Sequence, residues 1–301
     1  MVDNNTVNLQ RMAEARNFVE WMYSEVKPHV RGDVLEVGSG IGTYSEMILR
    51  DAEHLTVSDI DTEYIHILVN RFKNDDRVMV IPFDLDDVPK QKQYDTIVAL
   101  NVLEHIKDDV KALQGLYDNL RVGGKLVLLV PAHPRLFNCI DKLTGHYRRY
   151  TQQSLFDKIA LTNFTIIDWH YFNALAISGW LVSGTIMGKE TVSQGSVGLY
   201  DKLIPTARWV EEHILNKKLG ISIVCILEKQ DTVTMAHSTD SSKQCDILPS
   251  LTEGASSDET DATQESSCIV PDSSTALSLS EREQSGAVST GVEISDSPSV
   301  S

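Results

Sequence analysis

The chain has 301 residues, 42% of them hydrophobic, with 43 acidic and 27 basic side chains. Thirteen of the acidic and two of the basic residues fall in 231–301, so the first 230 residues carry a net charge of only about −5. That surface offers no broad phosphate-neutralising face, so nucleic acid is not expected as a partner and a small-molecule acceptor is. Four cysteines without a CxxC pair indicate neither a zinc site nor a disulfide framework, and no metal is expected.

Apolar residues recur at helical spacing from Asn8 to Val26 and predict one opening amphipathic helix capped by Asn8. No basic segment followed by an apolar run opens the chain, so no secretory signal is read and a cytoplasmic location is expected. After Pro28 the short β-branched runs DVLEVG, HLTVSD, RVMVIPFD, YDTIVALN and GKLVLLVP alternate with helical patterns starting at Thr43, Thr62 and Asp108. Five strands separated by helices imply a parallel sheet covered on both faces. Ala132–Tyr150 is rich in His, Arg, Tyr and Pro and reads as an active-site loop. Thr151 caps a further helix, and Asn163–Phe172 and Gly220–Lys229 read as two more strands. The uncharged stretch Tyr171–Gly188 is too weakly hydrophobic for a membrane span, although it leaves peripheral membrane contact open.

The expected organisation is a domain over 1–230, with an N-terminal helix in 1–28 and a cap insertion at 174–215, followed by a disordered acidic tail rich in Ser and Thr over 231–301. The sequence sets no oligomeric state.

Val34–Thr43 is a hydrophobic strand running into a glycine-rich turn at the start of a helix. The spacing Gly38, Gly40, Gly42 is GxGxG, whereas a dinucleotide fingerprint needs a third glycine one residue later, which argues against an NAD-dependent oxidoreductase. Glu36, two residues before the turn, would repel a pyrophosphate and suits a cationic amino group instead. Asp59 ends the second strand 19 residues after Gly40, where a carboxylate can accept ribose hydroxyls.

In order along the chain, VLEVGSGIGTYS, TVSDID, PFDLDDV, YDTIVALNVLEHI and LRVGGKLVLLVP resemble the successive motifs of class I S-adenosylmethionine-dependent methyltransferases. The resemblance implies a Rossmann-like doubly wound α/β fold with seven strands, the last antiparallel, and S-adenosyl-L-methionine as cofactor. It implies that Gly38, Gly40 and Gly42 pack against the methionine portion, that Asp59 and Ile60 meet the ribose end, that Asp84 and Leu85 read the adenine, and that Asn101 contacts the amino-acid end. PAHPRLFNCIDKLTGHYRRYT is similar to a subgroup with a His-Tyr-Arg-Arg-Tyr loop after the fifth strand.

Transfer from a sulfonium depends mainly on aligning donor with acceptor and excluding water. An acceptor that must lose a proton calls for a base, and His105, His146 and Tyr147 are the candidate catalytic residues, with His133 a further histidine on the same loop. Arg148 and Arg149 can bind an anion, but each is read first as a partner of Asp141 or another carboxylate that holds the loop. Glu104 is read as a capping or solvent-facing residue. Trp180 and Trp209 suit a flat or lipid-like partner. The expected reaction is O- or N-methylation of a small specialised metabolite, with a sugar or isoprenoid-lipid acceptor or a non-catalytic cofactor-binding protein as alternatives.

Overall fold

The computed structural model describes residues 4–85, 93–181 and 194–231; the expected tail and part of the expected cap lie outside them. Seven strands form one sheet: β1 (Asp33–Val37), β2 (His54–Asp59), β3 (Val78–Pro82), β4 (Tyr94–Leu100), β5 (Leu120–Pro131), β6 (Phe164–Phe172) and β7 (Ser222–Lys229). Their order is β3-β2-β1-β4-β5-β7-β6. β1 pairs in parallel with both β2 and β4, and β7 runs antiparallel to β5 and β6. The expected seven-stranded mixed sheet is therefore the observed one.

Because both faces are covered, successive strand residues enter opposite cores. Leu35, Ile97, Leu128 and Cys225 face one core with α5 (Asp109–Asp118) and α7 (Gln152–Ile159). Val34, Val98, Val127 and Val224 face the other, against α2 (Arg16–Val26), α3 (Ser45–Asp51), α4 (Thr62–Phe72) and α9 (Gln194–His213). Burial of one such leucine contributes about 2 kcal/mol from its apolar area. The period-two pattern is hidden in the sequence because each strand is apolar on both sides.

The opening segment is two helices, α1 (Asn4–Ala13) and α2, where the sequence predicts one. The chain leaves helical geometry at Ala15 (φ −78°, ψ 75°), and Asn8 lies inside α1 instead of capping it. No Gly or Pro marks the break. Ala15 is buried, and the turn there lets α1 take a direction of its own.

The remaining helices are α6 (Cys139–Leu143) and α8 (Leu175–Trp180). Thr151 caps α7 as expected, exchanging side-chain and backbone hydrogen bonds with Ser154. Pro205 lies inside α9. A proline there cannot donate to the carbonyl four residues earlier, and the Asp201 carbonyl accepts from the Asn17 side chain of α2 at 3.2 Å instead. Among the described residues no helix is long and apolar enough to cross a membrane.

Candidate functional site

The parallel strands all end on one edge, and the connections reverse direction between β1 and β4, which opens a crevice. A cavity of about 670 Å³ occupies it, lined by Glu36, Gly38, Gly40, Asp59, Ile60, Asp84, Leu85, Asn101, His105 and His146.

At one end the main chain does most of the work. Ser39 N–H donates to the Ser58 carbonyl at 2.8 Å, and Gly40 N–H donates to the Asp59 carboxylate at 2.9 Å, which pins the turn after β1 to the end of β2. Gly38 has φ +68°, and a Cβ there would lie 2.6 Å from Val102 Cγ2. Both the backbone conformation and the space demand glycine. Gly42 (φ +80°) does not line the cavity; a Cβ there would approach Leu68 and Arg71 of α4. Its smallness serves helix packing, and the expectation that it meets the ligand is not matched by its position.

Glu36 is buried and accepts a hydrogen bond from Ser45. Burial pushes its carboxyl up to about 7, against the opposing pull of the Ser45 and Ser39 hydroxyls. Asp59 is also raised by burial, while the backbone N–H groups of Asp61, Gly40 and Ile60 counteract the shift. With its value near neutrality, Glu36 is poised to ionise when a cationic group arrives. Ile60, 68% exposed, forms an apolar rim beside it.

The other end is built from charged side chains. Leu103–His105 forms a 3-10 turn after β4, and Tyr147 N–H donates to the Glu104 carbonyl at 2.8 Å. This hydrogen bond lays the loop after β5 over the turn. His105 and His146 meet edge to face at 4.6 Å between ring centroids. His146 Nδ1 lies 2.8 Å from Asp141 Oδ1, which also accepts from Arg149 Nε at 2.9 Å. Burial works to raise the Asp141 carboxyl, but His146 and Arg149 hold it below the usual carboxylate range. Burial, with His146 alongside, drives the His105 imidazole down to about 4, so it is neutral at pH 7.

Several predicted roles change here. Glu104 is neither a cap nor solvent-facing: it is wholly buried, and burial pushes its carboxyl up to about 8. Arg148 pairs with Asp109 and Arg149 with Asp141, as expected for loop-holding residues. Arg149 is further covered by the Trp180 ring at 4.5 Å, so Trp180 faces an internal cation, not a partner. Trp209 is exposed and stacks on His213. Tyr147, 58% exposed, does not line the cavity, and Tyr150 is buried against Asp109. His133 stacks on Tyr171 and bonds the Gly220 carbonyl, a structural position.

Sequence reasoning missed Leu9, Met12 and Ala13 of α1, Phe18 and Met22 of α2, and Tyr44, Tyr64 and Phe83, all of which line the cavity. The amphipathic pattern of α1 was the available signal. It points to a covering helix once the break at Ala15 is known.

Residues 35–126 match the family described as a methyltransferase domain. The chain is 31% identical over 118 residues to tRNA U34 carboxymethyltransferase of Vibrio atlanticus, covering 36% of each protein. It is 31% identical over 130 residues to the protein of the same name from Ruthia magnifica, covering 40% of each. The chain therefore spans little more than a third of the length of these curated relatives. Phosphoethanolamine N-methyltransferase 2 of Haemonchus contortus superposes with a TM-score of 0.48 at 18% identity, over 69% of this chain and 52% of that one, a likeness too slight to carry an argument. The relatives overturn two expectations, the small-molecule acceptor and the exclusion of nucleic acid, because their names place the transferred group on a tRNA. The charge argument excludes too much, because net charge averages the whole surface and does not report a local patch. The segments following β4 and β5 expose Lys107, Arg135 and Lys142 at the edge that carries the cavity. The match over 35–126 coincides with the strands and turns that build the glycine-lined end of the cavity, so this stretch of the chain is similar to a methyltransferase domain.

Proposed function

We propose that the chain transfers a methyl group from S-adenosyl-L-methionine to a base of an RNA acceptor, tRNA being the first to test. The observation that carries the donor half is a single cavity with a buried carboxylate, Glu36, at a glycine turn and a second, Asp59, at the end of the neighbouring strand. Glu36 would meet the donor's ammonium, Asp59 its ribose, and Asp84 with Leu85 its adenine, while Gly38 and Gly40 admit the donor close to the main chain. When bound, the donor would supply a methyl group carried on a positively charged sulfur.

The chain's own part is alignment and exclusion of water. Leu9, Met12 and Ala13 close the cavity from above, and His105 and His146 stand at its far end, where an acceptor would enter. His105, neutral at pH 7, places no charge against an acceptor there. The acceptor half is supported by the relatives' names and by exposed Lys107, Arg135 and Lys142 at the same edge, which suit phosphate contacts. We further propose that residues 1–230 act as one domain, with 174–215 as its cap and 231–301 as an appended acidic tail.

The test is incubation with isotopically labelled donor and total tRNA, with calorimetry of donor binding in parallel. Nuclease-sensitive label is expected. Binding without labelled tRNA would remove the acceptor reading, and no binding would remove the donor reading.

A further inference from the structure

Glu104, His105 and His146 converge although 42 positions separate the first from the last. One carboxylate oxygen and one nitrogen from each imidazole lie within 4.8 Å of one another. Glu104 has no exposed surface, and neither of its side-chain oxygens has a hydrogen-bond partner. His146 Nε2 lies 3.8 Å from Glu104 Oε1, beyond hydrogen-bond reach. A buried carboxylate with no donor requires a cation or a proton.

The orientation of His146 indicates which of these the site is built for. Its Nδ1 lies against Asp141 Oδ1 at 2.8 Å, and that aspartate is itself fixed by Arg149 Nε and by Asn138 N–H, each at 2.9 Å. An imidazole that donates from Nδ1 to a carboxylate presents the lone pair of Nε2 on its other side. Here that lone pair faces Glu104 and His105. A carboxylate behind a histidine is the arrangement that fixes the ring and raises its basicity in metal sites. His105 meets the His146 ring edge to face at 4.6 Å and brings a second imidazole nitrogen into the same cluster. Both histidines also line the cavity, so a centre held by three protein groups keeps one side open to it.

We infer that Glu104, His105 and His146 form a binding site for one divalent first-row transition-metal ion of the zinc class, with an open coordination position facing the acceptor end of the cavity. Two imidazoles favour such an ion over magnesium, which takes oxygen ligands. The site is independent of the donor, so it stands or falls separately from the transferase reading.

The test uses the full chain freed of metal by chelation and titrated with Co2+ as a spectroscopic probe. One equivalent is expected to give visible absorption bands of low coordination number, displaced by Zn2+ and untouched by millimolar Mg2+. Glu104→Gln, which keeps the side-chain shape, and His105→Ala should each weaken Co2+ binding at least about 100-fold, and Asp141→Asn about 10- to 100-fold through loss of the support behind His146. Thermal melting of the same samples reports whether each variant is folded. Absence of stoichiometric Co2+ uptake by the wild-type chain would overturn the inference. So would wild-type Co2+ affinity in both Glu104→Gln and His105→Ala, which would assign the ion to other histidines.

Discussion

The two ends of the cavity hold their shape by different means. At the glycine turn, backbone N–H groups and carbonyls of β1 and β2 fix one another, and the side chains that face the cavity come from short contiguous runs. At the far end, Arg149, Asp141 and His146 form a chain of hydrogen-bonded side chains beside the 3-10 turn that follows β4. A main-chain scaffold tolerates loss of one side chain because its hydrogen bonds remain. A buried charge network does not, since removing one member leaves another ionised and unpaired in a poorly hydrated place.

The sharpest way to break this contrast is Asp141→Ala. It strands buried Arg149 and should cost about 3–5 kcal/mol of stability, read as a fall in melting temperature. A loss below about 1 kcal/mol would mean that the network is not what holds the loop. Gly38→Ala attacks the other end, where the added Cβ meets Val102 and the backbone has positive φ. A cost of about 1–3 kcal/mol, with donor affinity reduced at least tenfold, is expected by calorimetry; unchanged affinity would move the donor elsewhere.

Glu36→Gln tests electrostatics within the main-chain end. The Glu36 carboxyl is raised from 4.5 to about 7 in the folded chain, so its contribution to stability is fully present below about pH 4.5 and is lost as the pH rises through about 7. Ligand-free Glu36→Gln should therefore melt above wild type at pH 8, by on the order of 3 kcal/mol at most, while binding the donor more weakly. Wild-type donor affinity should rise as the pH passes 7. A variant that melts no higher than wild type at pH 8 would mean that Glu36 carries no burial cost. The smallest effect is expected for Tyr147→Phe, whose hydroxyl is outside the cavity: turnover should change less than about twofold, and a tenfold loss would place Tyr147 at the acceptor after all.

The same contrast explains what could be read in advance. The strands and the glycine turn were legible because apolar runs and turn residues are local signals, and the seven-stranded mixed sheet followed from the resemblance. Gly42 looked identical to Gly38 in the sequence, and only the approach of α4 separates their roles. Glu104 was misplaced because its burial depends on a loop more than thirty residues downstream. The helix break at Ala15 carries no breaker residue, so the covering role of α1 depended on tertiary packing alone.

Pro205 has a reach beyond α9. The carbonyl it releases is claimed by Asn17, and the Asp201 carboxylate grips Asn17 Nδ2 and the Phe18 N–H at 3.1 and 3.0 Å. The next residues on that helix, Phe18 and Met22, are walls of the cavity. The interruption in one helix thus ties it to another, and the hydrogen bonds it frees hold a wall of the cavity in place.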